Sequence, residues 1–178
     1  MVVILSARTR FIRWQESSFS SPSQPMRVAL LTPALPEMRA AIKAENVRAE
    51  DDPFGCLGKA IIVYTMKVNH TPYLPSTYVA EQFVPFIDDA DFIIVVKCRP
   101  SGMGDDEATN FLRDQDRFLD FVSQASRGKR LCCVLCNTSA RDMDVIFENV
   151  VFCETYEERD MRSAAELLFG GNATRASS

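Results

Sequence analysis

Glycine and lysine are missing from the segment where a phosphate-binding loop would lie. The chain has seven glycines in 178 residues, and residues 32–39, which follow the first predicted strand, contain none. Phosphate loops use glycines so that backbone N–H groups can surround the phosphate oxygens, and a lysine to neutralise them. Here Pro33 and Pro36 remove two backbone donors, and Glu37 adds a negative charge. This junction is therefore predicted not to bind phosphate.

Long apolar runs and long basic runs are also absent. No apolar stretch approaches transmembrane length, which predicts a soluble protein without membrane insertion. The formal net charge of −4 and the lack of a Lys/Arg run argue against a general nucleic-acid binder, because counterion release needs a basic surface. A hydrophobic content of 47% in 178 residues is enough for one domain with a sizeable core.

Metal-ligating residues are few, since the chain has one histidine, His70, against six cysteines. Cys133 and Cys136 form a C-x-x-C spacing, but on a strand their side chains would face opposite sides, and a second ligand pair is lacking. We therefore predict no metal site and no cofactor. Most of the cysteines fall in or beside apolar β-rich runs, which is typical of free thiols buried in a reducing, intracellular compartment.

The composition divides the chain into three parts. Residues 1–25 are rich in Arg and Ser and poor in acids, which predicts either a disordered extension upstream of the folded pattern or a mitochondrial transit peptide. Residues 26–170 are predicted to form a single α/β domain. Residues 171–178 are small and polar and are predicted to be a disordered tail.

Within residues 26–170, predicted strands alternate with predicted helices. A helix is predicted to begin near Pro36, a second spans 77–90 with a kink or restart at Pro85, a third opens at Asp105, a short one precedes the last strand, and the final one begins with a Thr155-x-x-Glu158 capping box. Five strands are predicted, at 27–31, 60–66, 92–96, 131–136 and 150–153. This alternation indicates a three-layer α/β fold, in which helices cover both faces of a mostly parallel sheet.

The element order resembles that of the Ras-like small GTPases. Their guanine-recognition motif, Asn-Lys-x-Asp, follows the strand that corresponds to the fourth strand here. This chain keeps Asn137, but Thr138 replaces the lysine and Ala140 replaces the aspartate. The magnesium-binding Asp-x-x-Gly motif is missing after the second predicted strand, and residues 44–59 leave no room for a switch strand. The resemblance therefore implies a pseudo-GTPase without bound nucleotide.

Among such degenerate relatives, the chain resembles the centromere protein M family over residues 26–170. The shared features are the loop at 72–76, the strand at 91–96, the turn at 128–132 and the strand end at 152–154. This resemblance implies a non-enzymatic scaffold subunit of the inner kinetochore, in the nucleus. The same features would suit a nucleotide-free adaptor of vesicle coats or ciliary transport in the cytoplasm.

Candidate partner-binding residues lie on one loop and one helix. Tyr73 and Leu74 occupy a proline-bracketed loop, Tyr78 follows it, and aromatic side chains favour interfaces. On the helix that opens at Asp105, Phe121 and Arg117 lie to one side of the buried stripe. The alternatives are that the loop simply packs over the sheet and that Phe121 is a lone exposed apolar residue.

An acidic cluster offers an alternative, enzymatic reading. Residues 104–107 read Gly-Asp-Asp-Glu at a predicted helix start, which distantly resembles nucleoside deoxyribosyltransferase-like folds, where a glutamate at a helix start acts as nucleophile. Lys97 and Arg99 could help this helix start to bind an anion. Acids at a helix N-terminus also complement the helix dipole without any catalytic role.

Overall fold

The described residues form one mostly parallel sheet. The computed structural model describes residues 8–13, 26–36, 52–138 and 147–170. Within these ranges the sheet has six strands, in the spatial order β3-β2-β4-β5-β6-β1. The strands are β1 (Thr9–Arg13), β2 (Arg27–Pro33), β3 (Lys67–Tyr73), β4 (Phe92–Cys98), β5 (Arg130–Cys136) and β6 (Asn149–Cys153). Strands β2 to β6 are parallel to one another, and β1 is antiparallel to β6.

Helices cover both faces of this sheet. The described helices are α1 (Gly55–Ile61), α2 (Val84–Asp89), α3 (Asp105–Ala125) and α4 (Glu158–Phe169). Helices α1 and α4 pack over one face, and α2 and α3 over the other. The predicted α/β fold with a parallel sheet between helical layers is therefore confirmed. None of the described helices is long and apolar enough to cross a membrane.

The sheet contains one strand more than the sequence predicted. Strand β1 lies in residues 1–25, which were expected to be a disordered or targeting extension. Thr9 pairs with Cys153, and Phe11 pairs with Val151. Thr9 is buried and Phe11 packs against the core, so β1 covers the outer edge of β6. The prediction of disorder is wrong for these residues, and the remainder of 1–25 lies outside the described residues.

The prediction of a second strand at 60–66 is wrong. Residues 55–61 form α1 instead, and β3 (Lys67–Tyr73) begins just after the predicted strand and ends within the predicted loop at 72–76. Buried Phe54, Leu57 and Ile61 recur at helical spacing. Strand β3 lies at an edge of the described sheet, where polar residues and a proline are tolerated.

The strongest patterns were predicted correctly. All seven residues of β4 are buried, as expected for a central strand. Helix α3 opens at Asp105 and ends near Gly128, which has a φ of +80°. Cys133 and Cys136 are buried on opposite faces of β5. Burial raises the pKa of Cys133 to about 12, so this thiol stays protonated.

Two smaller predictions differ in detail. The predicted restart at Pro85 is present, but α2 is short and follows a 3-10 turn (Ala80–Gln82) instead of continuing a helix from 77. At the start of α4 the capping acid is Asp160 rather than Glu158, because Thr155 N and Oγ1 donate to Asp160 Oδ2 at 3.0 and 2.8 Å.

Of the helix predicted near Pro36, only Pro36 is described, and it is helical. The rest of that helix and the short helix predicted before β6 lie outside the described residues.

Candidate functional site

The carboxyl ends of the parallel strands are the first place to look for a ligand site, because doubly wound sheets bind ligands there. The described pairing of β4 with β2 ends at Leu31 and Val95, although both strands continue. The side-chain amide of Gln115 bonds the edge of β4 beyond this point. Its Nε2 donates to Cys98 O at 2.8 Å, and its Oε1 accepts from Cys98 N at 2.8 Å. Helix α3 thus completes the hydrogen bonds of the strand end.

Tyr73 completes the same strand end. Its hydroxyl donates to Val96 O at 2.9 Å, and its ring stacks on Phe118 with 3.7 Å between the ring centroids. The side chain is 1% exposed, and burial raises the pKa of Tyr73 well above its ordinary value. The prediction that Tyr73 contacts a partner is therefore wrong, because the fold itself buries this residue.

The two cations predicted to help bind an anion are both engaged by acids of α3. Lys97 is 0% exposed, and its Nζ lies 2.6 Å from Asp116 Oδ1. Arg99 reaches Asp105 at 2.5 Å. Lys97 faces the α3 side of the sheet because it alternates with β4 residues that face α1 and α4. These contacts neutralise the positive charge at the anion site that residues 97–107 were expected to offer.

Asn137, the residue retained from the guanine motif, joins two loops. It adopts a φ of 52°, which asparagine tolerates better than most residues. Its Nδ2 donates to Arg99 O at 2.9 Å, and its backbone N donates to Cys153 O at 3.1 Å. The side-chain amide therefore ties the loop after β4 to the end of β5. Ala140 lies outside the described residues.

Three of the predicted partner-binding residues come together on the α3 side of the sheet. The Tyr78 hydroxyl donates to Arg117 O at 3.2 Å, and the Tyr78 ring lies 6.0 Å from the ring of Phe121. Burial, reinforced by Asp120, raises the pKa of Tyr78. Tyr78 and Phe121 are half-buried, whereas Arg117 is exposed. We call these three residues the α3 surface; Leu74, the remaining candidate, is half-buried on the loop that leads to Tyr78.

The sequence did not predict an exposed apolar turn between α1 and β3. We call its four large residues, Ile62, Val63, Tyr64 and Met66, the ridge; their exposed fractions are 46%, 77%, 45% and 64%. They belong to the run that was expected to be a buried strand. Helix α1 ends at Ile61, its last buried residue, so the rest of the run loops outward before β3 begins.

A groove lined by residues of α1 and β3 borders the ridge. Its volume is about 440 Å³, and Gly55, Gly58, Ile62, Val68, His70 and Pro72 form most of its lining. Its polar side is held in place by the described core, since His70 Nε2 lies 2.9 Å from Thr32 Oγ1 and 3.1 Å from Asp52 Oδ2. We call this cavity the edge groove. The sequence analysis did not predict this groove, because a single histidine does not by itself indicate a site.

The arrangement around His70 is not that of a nucleophile activated by a histidine. In a catalytic triad the two partners contact different ring nitrogens, whereas Thr32 and Asp52 both contact Nε2. Thr32 is also fully buried. In the part of the chain that the structure describes, no three His, Cys, Asp or Glu side chains converge as metal ligands.

Comparison with known proteins shows the fold alone. Neither a protein-family model nor a curated protein sequence matches the chain. Among solved structures, the chain is similar to a fungal multi-domain GH3 β-N-acetylglucosaminidase with a GCN5-related glucosamine N-acetyltransferase region (TM-score 0.64, 14% identity, 92% of this chain and 16% of that chain). It is also similar to a β-glucosidase from Listeria innocua (TM-score 0.59, 13% identity, 92% and 24%). The chain thus spans less than a quarter of each of these proteins.

Proposed function

We propose that this chain is a non-enzymatic protein–protein interaction module, a scaffold subunit of a larger complex built on a degenerate, nucleotide-free small-GTPase-like fold. One observation carries the proposal: the chain's own side chains occupy the carboxyl end of the sheet. Gln115 and Tyr73 hydrogen-bond the end of β4, and Asp116 neutralises Lys97. A phosphate at this end would meet no unengaged cation on β4, and residues 34–36, the described part of the loop after β2, contain no glycine.

The partner is proposed to bind the α3 surface. Tyr78 and Phe121 present half-buried rings, and Arg117 places an exposed guanidinium beside them. Aromatic residues and arginine are enriched at interfaces because they combine a large contact area with directed hydrogen bonds. Leu74, on the loop that leads to Tyr78, is a further proposed contact. The rings already rest on Phe118, at 5.0 Å from Tyr78 and 5.9 Å from Phe121, so they are held rigidly for a partner.

The inner kinetochore is the proposed setting, with the nucleus as location, and it rests on the resemblance to the centromere protein M family. An adaptor of ciliary or vesicle transport would use the same closed fold and the same surface. A small nucleoside-processing enzyme is less well supported, because Arg99 already pairs with Asp105, the first acid of the Gly-Asp-Asp-Glu cluster.

Affinity purification of the tagged full-length chain tests this proposal. We expect stoichiometric companion proteins by mass spectrometry and no nucleotide after extraction. Arg117→Glu should release the companions, whereas Arg159→Glu should retain them, because Arg159 is also an exposed helical arginine but lies on α4, across the sheet. Stoichiometric bound nucleotide, or companions insensitive to Arg117→Glu, would overturn the proposal. The identity of the companions separates kinetochore from transport assemblies.

A further inference from the structure

We infer that Cys136 and Cys153 form a redox-sensitive pair, which hydrogen peroxide converts to an intramolecular disulfide that thiol reductants reverse. A row of thiols crosses the described sheet at its carboxyl end. Strands β4, β5 and β6 end at Cys98, Cys136 and Cys153 respectively. In the register of the sheet Cys98 lies opposite Cys136, and Cys136 lies opposite Cys153. All three side chains are buried in the core that α1 and α4 cover.

The spacing of this row fits a disulfide. Neighbouring strands of a sheet lie about 4.7–4.9 Å apart, and the Cα atoms of a disulfide are usually about 4.4–6.8 Å apart. The thiol of Cys136, at the centre of the row, is hydrogen-bonded to Cys153. The two sulfur atoms are therefore already neighbours, and joining them needs only a local adjustment of the strand ends. This hydrogen bond selects Cys153, rather than Cys98, as the partner of Cys136.

The other cysteines of the described residues lack such a neighbour. Cys132 lies opposite Ile94 on one side and Asn149 on the other, and Cys133 lies opposite valines on both sides. Cys56 is on α1, outside the sheet. A single cysteine in a core serves as a small apolar side chain. A row at the ends of three successive strands also brings oxidisable sulfur atoms together, which packing alone does not require.

Burial makes the oxidation slow but does not prevent it. Burial raises the pKa of Cys136 well above its ordinary value, and the hydrogen bond with Cys153 raises it further. Because the thiolate is the nucleophile, the closed fold protects the pair from rapid attack. The chain reaches the surface soon after each strand end, since Ser101 and Glu154 are exposed. Local opening of such turns exposes the thiols without unfolding the sheet.

The reaction is balanced with one molecule of peroxide. One sulfur atom attacks a peroxide oxygen and becomes a sulfenic acid as the O–O bond breaks, and the first water leaves. The second sulfur atom then attacks the first, the S–S bond forms, and the sulfenic oxygen leaves as the second water. Thiol–disulfide exchange with a reduced dithiol restores both thiols. In reducing compartments such disulfides are usually transient and redox-sensing.

The disulfide would change how the carboxyl end of the sheet is held together. In the reduced chain the Asn137 side chain ties the loop after β4 to the end of β5 by a hydrogen bond to Arg99 O. Asn137 N also donates to Cys153 O at 3.1 Å. Oxidation adds a covalent link between β5 and β6 beside these bonds. The inference does not depend on the proposed function, because it concerns the opposite face of the sheet from the α3 surface.

Peptide mapping of the purified full-length chain, treated with hydrogen peroxide and alkylated without reductant, tests the inference. We expect a monomer that loses two of its six thiols and regains both in dithiothreitol. Trypsin cleaves after Arg130, Arg141 and Arg159. Cys136 and Cys153 therefore lie on separate peptides, which the disulfide joins into one linked species. Repeating the treatment in urea below the unfolding transition increases the open population and should accelerate the loss of thiols.

Matched variants identify the sulfur atoms that react. Cys136→Ala should abolish the linked species. Cys133→Ala should retain it, because Cys133 is equally buried on the same strand but faces the other side of the sheet. Circular dichroism checks that both variants are folded. A native chain that forms no linked species with or without urea overturns the inference. A link from Cys136 to Cys98, or a linked species that persists in Cys136→Ala, also overturns it.

Discussion

The two ends of the sheet depart from the usual distribution of residues in different ways, since one end buries polar side chains and the other exposes apolar ones. At the carboxyl end, Lys97, Asp116 and Gln115 are buried. At the amino end, Val63 and Met66 are largely exposed. Buried polar groups and exposed apolar clusters are the informative exceptions in a folded protein. The buried groups are bonded to one another and to the backbone, whereas the exposed ones lack equivalent packing among the described residues. The comparison therefore distinguishes a carboxyl end closed by the chain's own side chains from an amino end with an exposed apolar turn.

The contrast arises where regular pairing or packing stops before the apolar run or the strand does. At the carboxyl end the pairing of β4 with β2 stops at Val95 while β4 continues to Cys98, which leaves backbone groups that a side chain must bond. At the amino end α1 stops at Ile61 while the apolar run continues. Gln115 bonds the backbone groups at the carboxyl end, whereas the described residues leave the ridge exposed at the amino end.

Removing one partner of the buried ion pair should give the largest effect at the carboxyl end. Asp116→Ala leaves the ammonium group of Lys97 buried without its 2.6 Å partner. We expect the free energy of unfolding to fall by about 3–5 kcal/mol, which is typical when one member of a buried pair is removed. Urea denaturation followed by circular dichroism measures the loss.

A double variant separates the charge from the packing. Lys97→Met together with Asp116→Leu should recover most of the stability lost in Asp116→Ala, because apolar replacements of similar volume leave no unpaired charge. The control is Asp114→Ala, whose carboxylate pairs with the exposed Arg117 at 3.2 Å and should change stability by less than about 1 kcal/mol. If Asp116→Ala were as mild as Asp114→Ala, the carboxyl end would not be internally closed.

Gln115→Leu should have the next largest effect. Leucine keeps the buried volume but leaves Cys98 N and O without their side-chain partner, and an unpaired buried backbone group costs about 1–3 kcal/mol. We expect a loss of about 2–4 kcal/mol in urea denaturation, most of it unrecovered by any apolar replacement at this position. Gln124→Leu, on the exposed face of the same helix, is the control. Equal stabilities for the two variants would show that the end of β4 does not need Gln115.

The sequence was sufficient for elements whose residues repeat regularly over many positions. Helix α3 carries its apolar stripe over 21 residues, and β4 is apolar along most of its length, so each pattern has one structural solution. The run at 60–66 failed because apolar character alone does not distinguish a strand from a helix end followed by a turn. The helical spacing of Phe54, Leu57 and Ile61 was present but interrupted by Gly55 and Gly58.

The candidate site was less predictable because it depends on contacts between distant elements. The inward position of Gln115 followed from the helical stripe, but its bonds to Cys98 depend on where the pairing of β4 with β2 ends. The burial of Tyr73 depends on α3 lying above the end of β3. Neither arrangement can be predicted from a local sequence pattern. Tyr78 and the helix residues Arg117 and Phe121 were predicted as separate candidates, and their contact was not predicted.

The smallest expected effect concerns His70, which lies between the two ends on β3. Burial lowers the pKa of His70 below its ordinary value of 6.5, and this effect exceeds the opposing attraction of Asp52. The unfolded chain therefore binds a proton at higher pH than the folded chain does. Stability is fully present above pH 6.5 and is lost progressively as the pH falls toward the lower pKa of the folded state.

Because His70 is the only histidine, its contribution can be isolated with one substitution. His70→Gln should remove the part of the stability change that occurs just below pH 6.5, while the decline at more acidic pH, where carboxylates protonate, should persist. Urea denaturation of both proteins across this range measures the difference. An unchanged slope in His70→Gln would mean that the imidazole is equally basic in the folded and unfolded chains, and that the wall of the edge groove it forms is open to water.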